Sequence, residues 1–306
     1  LYILPAILFG VFLGSNDSAN IFGPSVEMGI LRYRLITVVS AISIFFGAIF
    51  GGKSGIETIS SFSNMNIYFA VLSTISAVLT MVILSKLGIP SSSSQAIVGG
   101  ILGAGILNNY VNIGILFKLL VAWVLTPIGG MFFGFLMYKV LSVPFNKIRS
   151  IQLREKLIVL FTLVIGAYAS FSLGANNVAN VTGVFAKKMG IDTAVFIGGL
   201  SISVGALFSN KRVMYTISKR IIELDYFSSA ISVLGQAITV WLYSLVGIPV
   251  SVSQAIVGAV IGAGFAKGSK LVNKRIIVKI ALTWIVTPTF SAFFTILLYY
   301  ITNFFD

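Results

Sequence analysis

This chain is written twice, and that duplication constrains its fold more than any other feature. Residues 14–23 read GSNDSANIFG and recur 160 positions later as GANNVANVTG. Residues 88–99, GIPSSSSQAIVG, recur 159 positions later as GIPVSVSQAIVG. Lys118, Trp123, Thr126 and Pro127 recur 161 positions later as Lys279, Trp284, Thr287 and Pro288. Three collinear matches at nearly one offset mean a duplicated architecture, a common construction in membrane transporters. They divide the chain into a first repeat at 1–143, a basic connector at 144–156 and a second repeat at 157–306.

The repeats are too apolar for water. Hydrophobic residues make up 57% of the chain and charged ones 9%, a composition that belongs in a bilayer. Apolar stretches fall at roughly 1–29, 35–50, 66–86, 90–107 and 111–143, then 157–183, 193–209, 228–246, 249–266 and 276–303. Most approach the ~20 residues of a spanning helix. The first stretch lacks a basic n-region and an A-x-A cleavage site, so it reads as the start of a membrane helix and not as a signal peptide. With no Cys and no His, disulfides, Cys/His metal centres, Cys nucleophiles and imidazole bases are excluded. Only eight carboxylates remain, and the chain reads as a non-enzyme.

Charge then sets topology. The 21 Lys and Arg sit in short loops between apolar stretches, which argues against a nucleic-acid partner and for sidedness in a membrane. With five crossings per repeat, 17 of the 21 fall on one side and only Lys53, Lys118, Lys187 and Lys188 on the other. An even count splits them almost evenly. The odd count obeys the positive-inside rule and makes the repeats inverted, with both termini outside and the connector cytoplasmic. The expected fold is an all-α polytopic protein of the plasma membrane, built from two inverted-topology repeats with discontinuous helices and re-entrant or half-helix segments.

The repeated motifs carry the polar chemistry. Asn16, Asp17 and Asn20 share one face of the first helix by their i,i+3 and i,i+4 spacing, and Asn176, Asn177 and Asn180 repeat the pattern. A carboxylate in hydrocarbon costs about 2.5–3.5 kcal/mol even on lenient scales, so Asp17 points to function. Interhelical hydrogen bonding is the alternative for the asparagines. Pro90 precedes four serines and Gln95, and Pro249 precedes Ser251, Ser253 and Gln254. Pro favours the first turn of a helix, whose free N–H groups and positive dipole end bind anions without a basic side chain. Ordinary capping and GxxxG packing are the alternatives there.

Thr126-Pro127 and Thr287-Pro288 interrupt long apolar stretches, and each Pro frees a carbonyl that, with the Thr hydroxyl, suits a small cation. A simple kink explains either one alone equally well. Lys118 and Lys279 read as interfacial anchors, as do Glu27 and Glu57. An anion site with no Lys or Arg beside one carboxylate needs a cation brought with the anion, since like charges repel strongly at low dielectric. Hard oxygen donors suit Na⁺.

These motifs resemble the inorganic phosphate transporter (PiT) family, whose duplicated signature is similar to G-A-N-D-x-A-N and is joined by P-x-S-x-T/S-H/Q in each half. The resemblance implies secondary transport of inorganic phosphate with Na⁺ or H⁺. It makes Asp17, Asn20, Asn177 and Asn180 sodium ligands, to which the Thr-Pro reading adds Thr126 and Thr287, and it makes Ser92, Ser94, Gln95, Ser251, Ser253 and Gln254 the phosphate ligands. Sodium is then the coupling ion, with no organic cofactor, and a homodimer stays open. Two departures stand out: Asn177 replaces the usual Asp, and Gln95 and Gln254 stand where many members have His, which removes a titrating imidazole and favours Na⁺. A proton-coupled sulfate or phosphate permease is the runner-up, followed by an anion channel. A membrane phosphotransferase is weakest, because Asp17 is its only candidate base.

Overall fold

The computed structural model describes residues 2–27, 31–62, 65–87, 91–209, 224–269 and 274–305. The side chains of Asn20 and Glu27, together with Pro90 and the basic residues at 211–220, lie outside what it describes. Among the described residues the chain is all-helical: α1 Leu4–Glu27, α2 Tyr33–Gly51, α3 Lys53–Phe62, α4 Ile67–Lys86, α5 Ser93–Asn108 and α6 Ile113–Lys147. The second repeat follows with α7 Ile151–Thr182, α8 Ala186–Met189, α9 Ile191–Leu207, α10 Tyr226–Leu245, α11 Val252–Lys267 and α12 Lys274–Phe305. Six helices among the described residues are long and apolar enough to cross a membrane: α2, α4, α6, α7, α10 and α12. The chain is a multi-pass membrane protein.

Local chemistry sets the helix ends. Asn66, Asn112 and Ser150 cap α4, α6 and α7 by accepting from the backbone N–H three residues on. Asp225 and Ser228 close a reciprocal capping box at the start of α10. Asn109 at φ 52° and Gly268 at φ 97° end α5 and α11 in the left-handed conformation. Residues 144–156 form no long loop, because α6 runs through to Lys147 and α7 begins at Ile151. The short, partly polar α3 is an element that the apolar stretches did not outline. Outward faces of α6 and α12 carry Val124, Phe132, Ile285, Phe293 and Tyr300 more than half exposed, as lipid-facing side chains are.

α5 and α11 differ from the rest. Each has 16 residues, about 24 Å at 1.5 Å per residue, which is shorter than the hydrocarbon core of ~30 Å. Their first turns are inside the protein, with Ser92, Ser93, Ser94 and Gln95, and likewise Ser251, Val252, Ser253 and Gln254, at most 2% exposed. Both are therefore helices that start in the interior, as the Pro-Ser-Gln motifs lead one to expect.

Each repeat packs chiefly on the other. α1 lies along α9 and α7 along α2, while α5 lies along α12 and α11 along α6. Small residues make these seams. A Cβ on Gly14 would overlap the Ile202 carbonyl, and one on Gly174 would overlap the Ile44 carbonyl. Gly99 likewise meets Pro288 and Gly258 meets Pro127. Each seam thus appears twice with the repeats exchanged, and the Thr-Pro interruptions of α6 and α12 sit against the short interior helices.

Within each seam the partners run the same way. Along α2 and α7, Ser40 meets Ser170, Gly47 meets Phe171 and Gly51 meets Ala175. Along α1 and α9, Gly10 meets Ser201, Ser15 meets Phe208 and Ser18 meets Ser209.

Candidate functional site

Asp17 is the only charged side chain buried among the described residues, at 1% exposure. It is also the hub of the interior polar network. Its Oδ1 accepts from Asn16 Nδ2 at 2.8 Å, and its Oδ2 accepts from Ser93 Oγ at 2.8 Å and from Asn177 Nδ2 at 3.0 Å. A carboxylate can stay ionised in the interior only with such donors around it.

The network continues into both short helices. Asn180 Nδ2 donates to Asn177 Oδ1 and to Ser94 Oγ, each at 2.9 Å. Ser94 Oγ donates to the Val250 carbonyl at 2.8 Å, and its repeat counterpart Ser253 Oγ donates to the Ser91 carbonyl at 3.1 Å. The two helix starts are therefore clasped reciprocally. Ser92 and Ser251 cap them by accepting from the backbone N–H of Gln95 and Gln254, both at 3.2 Å. Asn176 holds the approach to α11, donating to the Ile248 carbonyl at 3.3 Å and accepting from Val250 N–H at 3.0 Å.

Several buried oxygens here have no partner: Asn16 Oδ1, Asn180 Oδ1, Gln95 Oε1, Gln254 Oε1 and Ser91 Oγ. Unpaired buried polar atoms are costly, so such a cluster beside a carboxylate marks a place where something binds. All are oxygens, and no Lys or Arg appears in the hydrogen-bond network.

The residues picked from the repeats divide accordingly. Asp17, Asn177, Asn180 and Ser94 are directly bonded together, Ser253 bonds to the Ser91 carbonyl beside them, and Ser92 and Ser251 serve as caps. Thr126 and Thr287 do not hydrogen-bond to Asp17. Their hydroxyls donate to the carbonyls of Ala122 and Thr283 in their own helices, both at 2.6 Å. Ser93 was missed although it touches the carboxylate. It lies in the serine run, but its counterpart is Val252, and selection by recurrence passes over it.

A cavity of about 590 Å³ lies between α3, α6 and the turn before α11. Ser54, Glu57, Thr58, Lys118, Gly247 and Ile248 are among the residues that line it. Lys118, expected only as an interfacial anchor, thus lines this cavity together with Ile248, whose carbonyl Asn176 holds. Ser54 Oγ also donates to the Ser244 carbonyl at 3.1 Å, fastening α3 to the end of α10.

Comparisons with known proteins bear on the family and the fold. The chain is 29% identical to an inferred phosphate permease of Methanocaldococcus jannaschii, over 90% of this chain and 88% of that one. It is 28% identical to the sulfate permease CysP of Bacillus subtilis, over 94% and 84%. A solved structure described as the sodium-dependent phosphate transporter superposes with a TM-score of 0.87 at 22% identity, covering 99% of this chain and 98% of that one. That likeness establishes a shared fold. One family model, described as the phosphate transporter family, matches twice, at residues 13–152 and again at 143–295. On that double match, which follows the repeats, the chain belongs to the phosphate transporter family and is a transporter, not an enzyme.

Proposed function

We propose that this chain is a symporter of inorganic phosphate coupled to Na⁺, working by alternating access. The observation that carries the reading is the bonding of Asp17, the sole buried carboxylate among the described residues, to both the Asn177 cluster and the first turn of α5. Phosphate binds at the clasped starts of α5 and α11, where Ser92, Ser94, Gln95, Ser251, Ser253 and Gln254 surround free helix N–H groups. Na⁺ binds at Asp17, with the asparagine oxygens of the signature motifs. Without a Lys or Arg to balance an anion, the carboxylate and the phosphate need the cation between them. The names of the solved homologous structure and of the archaeal relatives support this choice of substrate and ion.

The repeats are inverted. α7 is the repeat of α1, yet it runs alongside α2 in α2's direction, and α1 runs alongside α9, the repeat of α2. Successive spans joined by a short connection run oppositely, so α7 opposes α1. Two ion pairs support the same topology: Lys53 with Asp192 at 2.6 Å, and Lys267 with Asp225 at 3.2 Å, each joining loops that the basic-residue count puts on one side.

Uptake of labelled phosphate into proteoliposomes, with Na⁺ and pH gradients imposed separately, tests the reading. Uptake that follows the Na⁺ gradient is expected. Uptake driven by the pH gradient alone would favour the proton-coupled permease, and labelled sulfate accumulating in place of phosphate would change the substrate.

A further inference from the structure

We infer that Gln95 and Gln254 make the site a reader of protonated oxyanions: their carboxamide oxygens accept hydrogen bonds from P–OH groups, and an anion without an O–H is rejected. This rests on the phosphate-site reading above and goes beyond it by assigning the residues that separate phosphate from sulfate.

Gln95 Oε1 and Gln254 Oε1 are buried, with the residues 1% and 2% exposed, and neither has a hydrogen-bond partner. Both stand at the third helical position after a capping serine, in the order Ser-x-x-Gln. In a capping box that glutamine reaches back to the N–H of the capping residue. Here only half of the box is made: Ser92 and Ser251 accept from the glutamine backbone, while the glutamine oxygens return no bond. Capping therefore leaves these two oxygens unexplained, at equivalent places in the two repeats.

A cation does not suit them. Each lies in the first turn of a helix, where the dipole and the free N–H groups favour negative charge and oppose positive charge. Asn16 Oδ1 and Asn180 Oδ1 belong to the side chains that bond to Asp17 and to its partner Asn177, and the nearby negative charge makes them better placed for Na⁺. What satisfies an acceptor at an anion-binding helix start is an anion that also donates. Phosphate at neutral pH carries one or two P–OH groups. Sulfate carries none, and its lone pairs would face the glutamine oxygens. An unpaired buried acceptor costs about 1–3 kcal/mol, so the donor-free anion should bind about 10- to 100-fold more weakly.

The test uses the whole protein in proteoliposomes, with Na⁺-driven uptake of labelled phosphate and three competitors. Arsenate keeps an As–OH, sulfate has no O–H, and monofluorophosphate has the charge and near shape of hydrogen phosphate without its proton. Arsenate is expected to compete at concentrations close to those of unlabelled phosphate, while sulfate and monofluorophosphate need at least 10-fold more. Gln95→Met and Gln254→Met, which keep volume and remove the acceptor, should bring the arsenate-to-monofluorophosphate ratio towards one. Equal competition by all three anions in the parent protein would overturn the inference even if neither variant folds, while leaving phosphate uptake and the symport reading intact. Absence of phosphate uptake in the parent would instead count against the symport reading itself.

Discussion

The side-chain amide of Asn177 donates to Asp17 Oδ2 at 3.0 Å, so the two residues that the repeat makes equivalent touch each other across the join between the halves. One position carries a charge and the other a neutral donor that bonds to it. Asn177→Asp would set two carboxylates at that distance, a repulsion of about 5 kcal/mol at an effective dielectric constant of about 20. The variant should unfold at a lower temperature in Na⁺-free detergent, recover on adding Na⁺, and show a steeper Na⁺ dependence of uptake than the parent. An unchanged Na⁺ titration would mean that position 177 does not meet the cation.

Ser93 gives Asp17 one of its three side-chain donors. Ser93→Ala removes a charge-assisted bond from a carboxylate that water does not reach, and the expected loss is about 1–3 kcal/mol. Thermal unfolding in detergent measures it. Ser91→Ala, whose hydroxyl has no partner, should cost less, and equal losses for the two would argue against the Ser93 bond.

Recurrence made Asp17, Asn177, Asn180, Ser94 and Ser253 legible before any coordinates, since a polar side chain kept at the same place in both halves of an apolar chain is hard to explain as filler. Ser93 and Val252 mark where that logic stops. The carboxylate exists in one half only, and its extra donor exists in one half only, so the asymmetric pair is invisible to a search for symmetry. The Thr126 and Thr287 hydroxyls illustrate a second limit, because a hydroxyl one turn from a carbonyl of its own helix can be consumed locally, and spacing does not reveal which carbonyl it chooses. Nor does a run of letters disclose that Gly14 meets Ile202, a contact set by how the repeats interlock.

Acid should loosen the start of α10. Burial pushes the Asp225 carboxyl up, but the backbone and hydroxyl of Ser228 and the Lys267 ammonium together outweigh it and hold the group below its ordinary value. A lowered folded pKa means the contribution is complete above the ordinary carboxylate pKa of about 3.9 and is lost as pH falls through the folded value. The side chain is 48% exposed, so screening limits the effect to under about 1 kcal/mol. Asp225→Asn keeps a capping oxygen without the charge, and its stability between pH 5 and pH 3 should fall less than that of the parent.

Inverted repeats put residue 53 outside and residue 149 inside. The chain has no cysteine, so Lys53→Cys and Arg149→Cys each give a single label site, and both positions are exposed. A membrane-impermeant maleimide added to intact cells should label the first and reach the second only after permeabilisation. Equal labelling of both from outside would rule out the inversion.

The seams between the halves should be equally intolerant of bulk. Gly14 against Ile202 and Gly174 against Ile44 are one contact made twice with the repeats exchanged, and in each the neighbour is backbone, which has little room to move. Gly14→Ala and Gly174→Ala are therefore expected to cost similar amounts, about 1–3 kcal/mol each, as overpacked substitutions do. Gly114→Ala meets only Asn112 Oδ1, at 3.4 Å, and should lie within about 0.5 kcal/mol of the parent. If alternating access moves one helix of a seam along its partner, uptake in both seam variants should fall more than the unfolding temperature alone predicts. A loss confined to one of them would mean that the two seams, alike at rest, are not alike during transport.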